Sequence, residues 1–147
     1  MIKDKLSYKE MSEMFFDEYA VGITETPDGL KKAVKEVGKY VKTLPVETVM
    51  EFEDIIKAKD RADKRYMKMH DGKTKKEVTA EKLRKQGKLN QLLELYDVRE
   101  MAKECFMCKV RIVIAGRVAE IKLENWQTKH RTNSRSRSRS RARARTM

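Results

Sequence analysis

Arginine stands at every second position from Arg135 to Arg145, with only serine and alanine between. Alternate side chains of an extended chain point the same way, so the pattern lines its guanidinium groups along one edge. Their spacing is roughly 6.6 Å, from a rise of ~3.3 Å per residue. That is comparable to the separation of successive phosphates on one nucleic-acid strand. In a helix the same arginines would scatter around the axis and repel one another, so the alternation predicts an extended segment. Guanidinium binds phosphate oxygens bidentately and stays charged. The small intervening residues permit close approach, and the serine hydroxyls can add contacts of their own. Nothing in the segment reads bases. With Arg131 and its neighbours included, about seven or eight neutralised phosphates give a log–log salt slope of about −6 to −7 on duplex DNA. The alternatives for such a segment are a disordered solubilising tail or phosphorylatable RS dipeptides of the splicing-factor type.

A second cationic row lies further upstream. At about 100° per residue, Lys57, Arg61, Lys64 and Lys68 fall within about 60° of one another on a helix. Phe52, Ile55, Ile56, Ala62, Tyr66 and Met69 fall on the opposite side and are expected to face inward. The basic stretch continues through Lys73, Lys75, Lys76, Lys82, Arg84, Lys85 and Lys88. Asp54, Asp60 and Asp63 dilute the field, as on any solvated helix face.

The remaining candidates for chemistry are weaker. Cys105 and Cys108 form a lone CxxC; a structural zinc needs two further ligands, and His70 and His130 are isolated in the sequence. Two core cysteines one helical turn apart are the expected reading. His70 is expected near a helix C-terminus, where an imidazolium suits the dipole. The glycines are scattered singly, without the spacing of a nucleotide fingerprint. Trp126 either anchors the final element or stacks on a base, and anchoring is favoured. No catalytic constellation, cofactor site or metal site is expected, and the chain does not read as an enzyme.

The charge balance fits a polyanionic partner. The net charge is +12, yet the 23 residues from Asn125 onward hold eight basic residues and no acidic one. The rest of the chain is left with 27 basic against 23 acidic residues, a balance of +4. Such asymmetry speaks of a partner rather than of a fold. No run approaches the ~18 apolar residues of a membrane span. The start of the chain is polar and charged, unlike a secretory signal, and two cysteines do not make a disulfide framework. An intracellular or intravirion setting is expected.

The elements that must hold these groups are helical. Ser7 and Glu10 fit a capping box before Met11, Met14, Phe15 and Tyr19, with Gly22 as a stop. Thr26-Pro27 opens a second helix with the stripe Leu30, Ala33, Val34, Val37, Val41 and Leu44. Pro45 restarts the chain into a long helix reaching His70 and ended by Asp71-Gly72. Thr74 and Glu77 fit another capping box, and Gly87 ends that helix. A further helix is expected from Leu89, carrying Leu92, Leu93, Tyr96 and Ala102. Residues 110–123 are rich in β-branched side chains and allow a short hairpin turned at Ala115-Gly116, but their helical spacing favours helix. The expected architecture is all-α, with about five helices in residues 1–130 and an extended basic tail in 131–147. The many methionines are expected in the core or at contacts with other copies of the chain.

This run of helices from Ser7 to about Trp126, followed by the Arg131–Arg145 extension, resembles the coat proteins of filamentous archaeal viruses. Those proteins do not generally carry an SRSRSR tail. The resemblance implies a nucleocapsid subunit: many copies, often of two related chains, enclosing double-stranded DNA in a helical virion. Its inward surfaces would be the Lys57–Lys68 row and the arginines Arg131, Arg135, Arg137, Arg139, Arg141, Arg143 and Arg145. The competing expectations are a chromatin- or protamine-like compactor of the nucleoid or nucleus, and an RS-type interaction protein of RNA processing.

Overall fold

The computed structural model describes residues 6–23 and 26–146, the last sixteen as backbone only. The side chains of the arginine run, and with them the guanidinium edge expected there, lie outside the described residues. Among those residues every regular element is a helix. Residues 110–123 are helical throughout, so the hairpin alternative is excluded.

Helix α1 (Tyr8–Phe15) starts at the expected capping box: Ser7 Oγ accepts from the Glu10 amide at 3.1 Å, and Glu10 Oε1 accepts from the Ser7 amide at 3.4 Å. It runs directly into one turn of π-helix, Phe16–Ala20, closed by the Val21 amide donating to the Phe16 carbonyl at 2.8 Å. The wider turn reconciles two adjacent phenylalanines with one core: Phe15 and Phe16 are both buried. Gly22, at φ +82°, then turns the chain.

Thr26 Oγ1 accepts from the Gly29 amide at 3.0 Å, and Pro27 occupies the first position of α2 (Pro27–Thr43). Only glycine fits at 29, because a Cβ there would land on the Ile23 carbonyl oxygen. Helix α3 (Val46–Met69) ends in a left-handed pair, Asp71 at φ +54° and Gly72 at φ +80°, with the Gly72 amide returning to the Met67 carbonyl at 2.8 Å. Helix α4 (Lys75–Lys85) is capped by Thr74, whose hydroxyl accepts from the Glu77 amide at 3.2 Å. Gly87, at φ +69°, leads into α5 (Leu89–Glu94).

The helix expected from Leu89 through Ala102 is two helices. Amides of Leu95, Tyr96 and Asp97 reach back only three residues, tightening the turn until it stops. Helix α6 (Val98–Thr146) begins anew, with the Met101 amide donating to the Asp97 carbonyl at 2.9 Å. A short polar Asp suits such a helix start better than a helix interior.

The core lies where α2, α3 and α6 meet, with α1 and the π-turn packed over it. Helix α2 contributes Ala33, Val37 and Val41; α3 contributes Val49, Phe52 and Ile56; α6 contributes Phe106, Met107, Val110, Ile114, Val118 and Ile121. Edge-on aromatic contacts tie the layers, Phe15 to Phe52 at 5.4 Å and Phe16 to Phe106 at 6.1 Å between centroids. Ala80 and Leu83 of α4 are buried apart from this cluster.

Burial on α3 stops at Ile56, although the helix continues for more than three further turns. Ala62 and Met69, expected to face inward, are therefore exposed. The methionines divide: Met11 and Met107 are core, whereas Met14, Met69 and Met101 are exposed.

Candidate nucleic-acid interface

All four cations of the expected row, Lys57, Arg61, Lys64 and Lys68, are exposed on α3. The structure redraws the row at both ends. Lys57 is engaged by Glu53 one turn earlier, with Nζ 2.7 Å from Oε1. Arg65 joins the others instead. It is exposed, forms no salt bridge among the described residues, and shares an arc of about 100° with Arg61, Lys64 and Lys68. The sequence reading missed it, although the same azimuth count would have found it.

Two of the three acids expected to dilute this field are spent elsewhere. Asp60 accepts from Arg111 on α6, and Asp63 pairs with Lys59 at 2.9 Å on another side of α3. Partial burial disfavours the Arg111 charge, but the hydrogen bonds and charges of Asp60 and Tyr8 together outweigh it and leave the guanidinium pKa above its ordinary value. Arg61, Lys64, Arg65 and Lys68 have no salt bridge among the described residues. They stand on the half of α3 that projects beyond the core, where long cationic side chains keep full access to solvent and to a partner.

The basic stretch beyond α3 divides in the same manner. Lys73 pairs with Glu81 at 2.6 Å; the hydrogen bond raises the lysine pKa and lowers that of the glutamate. Lys76 lies 3.6 Å from Glu104 and over the Tyr96 ring at 4.8 Å. These two hold α4 to its neighbours. Lys75, Lys82, Arg84, Lys85 and Lys88 are exposed without salt bridges among the described residues.

Other expectations change. Cys105 and Cys108 are exposed free thiols, not core residues. Their three-residue spacing does put them on one face of α6, but it is the outer one. Trp126 does not anchor the helix into the core; it is exposed and stacks on His130 at 4.1 Å between ring centroids. His70 caps α3 as expected, its Nδ1 2.9 Å from the Tyr66 carbonyl oxygen. Among the described residues no cluster of His, Cys, Asp and Glu is placed to hold a metal ion, and no helix is long and apolar enough to cross a membrane.

No protein-family model, curated protein or solved structure matches this chain.

Proposed function

We propose that this chain is a structural nucleic-acid-binding protein, a coat or nucleocapsid subunit that compacts double-stranded DNA through phosphate contacts without reading sequence. The observation that carries the reading is the segregation of charge. The body neutralises much of its own charge, while the arginine run has no acid within it and the outer α3 row has lost Asp60 and Asp63, two of its three acidic neighbours, to other partners. Cations on a projecting helix without salt bridges among the described residues, and an arginine run with no acid in its sequence, are suited to displacing counterions from a polyanion. Lysine and arginine side chains on a helix face supply affinity and register rather than base discrimination. Arginine's bidentate geometry favours the phosphate diester over a diffuse anionic surface. A single chain of this size covers little DNA, and compaction requires copies acting together; a coat reading provides them.

The α3 contribution is tested by replacing Arg61, Lys64, Arg65 and Lys68 together with alanine. Each released counterion contributes ~0.9 to the log–log salt slope, so the slope for duplex DNA should flatten by about 3 to 4. The exposed positions leave helicity unchanged by circular dichroism. An unchanged slope in the folded variant would remove α3 from the interface. Micrographs of the protein on DNA test the assembly: uniform filaments support a coat, and irregular condensates contradict it.

A further inference from the structure

Helix α6 has a second apolar stripe, diametrically opposite the one it buries. Val98, Met101, Cys105, Cys108, Ile112, Ala115, Ala119, Leu123 and Trp126 fall within about 100° of arc, on the side facing away from Phe106, Val110, Ile114 and Ile121. The stripe is open to solvent, with Val98 at 73 %, Ile112 at 66 % and Trp126 at 56 % exposure. No charged residue falls within that arc. The positions 101, 105, 108, 112, 115, 119, 122 and 126 alternate steps of four and three, a heptad seam sustained for nearly four repeats and interrupted only by Lys122. It is about 37 Å long at 1.5 Å per residue.

We propose that this stripe is the contact between two copies of the chain, paired antiparallel along α6 about a two-fold axis beside Ile112–Ala115. The charges beside the seam choose both partner and direction. Glu104 and Lys122 flank it on one side, Lys109 and Glu120 on the other. In an antiparallel pair each flank meets the same flank of the other copy. Aligning Ile112 with the second copy's Ala115 then brings Glu104 near Lys122 and Lys109 near Glu120, each twice by symmetry. A parallel, in-register pair also sets Glu104 near Lys109 and Lys122 near Glu120, but it seats Lys122 against the second copy's Lys122 within the seam, where the antiparallel register places Cys105 instead. Lys109 and Lys122 have no salt bridge among the described residues; Glu104 and Glu120 lie 3.6 Å from Lys76 and 3.2 Å from Arg117 of their own chain, on exposed surface where such pairs exchange readily. The same register seats Met101 against Trp126 and Cys108 against Ala119. Ala115, Gly116 and Ala119 are small enough for the backbones to approach at the centre.

This pairing gives the assembly part of the proposed function its surface, yet it is tested without nucleic acid. A monomer would therefore remove the interface and leave phosphate binding to its own titration. Sedimentation of the intact protein should give a dimer at micromolar concentration, and Ile112→Glu should give a monomer of unchanged helicity. Direction is read by oxidation in a Cys105→Ser background. Cys108 alone should not cross-link copies, because its own counterpart lies far along the other helix; adding Ala119→Cys should produce a disulfide-linked dimer. A monomeric intact protein, a dimer that survives Ile112→Glu, or cross-linking through Cys108 without the added thiol would each overturn the proposal.

Discussion

Removing residues 131–147 should weaken binding to duplex DNA by about a thousandfold near 100 mM salt and flatten the log–log salt slope by about 6. The segment removes seven arginines and no acid. At ~0.9 per phosphate neutralised, these account for most of the counterions the protein can release. What remains is the α3 row, which supports a residual slope of about −3 to −4 from Arg61, Lys64, Arg65 and Lys68. The effect should be equal on unrelated duplex sequences, since guanidinium groups on phosphates carry no base information. A segment serving only solubility predicts otherwise: truncation would lower solubility and leave affinity and slope in place. Titrations of both proteins at several salt concentrations separate the two.

The second large effect lies in the core. Phe106→Ala should cost about 3–5 kcal/mol of stability, a major share of the roughly 5–15 kcal/mol that holds a domain together. Phe106 is wholly buried where α6 meets the π-turn, edge-on to Phe16. Removing it opens a cavity bordered by α6 and a segment whose widened helical turn exists to bury two adjacent phenylalanines. Thermal unfolding should move down by about 10 °C or more. Ile112→Glu lies six residues along the same helix but on its outer face, so its melting, compared at a concentration low enough for the intact protein to be monomeric, should not fall comparably. If both variants lost stability alike, the assignment of one inner and one outer stripe to α6 would be wrong. Phe106→Ala protein held below its transition should still bind DNA with nearly the full salt slope, because the contacts of the arginine segment need no packed core.

Much of the fold was legible in the sequence because the helix ends are written in local chemistry. Ser7 with Glu10, Thr26 with Pro27, Thr74 with Glu77, and the glycines at 22, 72 and 87 act within a few residues of themselves. The π-turn was not legible: adjacent Phe15 and Phe16 state that two side chains seek burial, not how the backbone satisfies both. The split at 95–97 was missed because the apolar spacing runs through it, and only backbone hydrogen bonds mark the break.

On the candidate interface, the row from Arg61 to Lys68 followed from azimuth alone, as did the grouping of Cys105 with Cys108. Which side of the helix faces the core did not. Helix α6 is apolar on two opposite sides, so periodicity in its sequence cannot tell the buried face from the exposed one. The neutralisation of Asp60 was equally hidden, since its partner Arg111 lies 51 residues away. Long-range ion pairs of this kind decide which cations remain free for a partner, and they exist only once the helices are packed.

The most direct test of the central claim is the affinity of the intact protein for two duplexes of equal length and unrelated sequence, measured across salt. Sequence-independent phosphate binding predicts equal affinities at each salt concentration. It also predicts one common log–log slope of about −9 to −10, the sum of the arginine segment and the α3 row. A strong preference for one duplex, or a slope near zero, would contradict it.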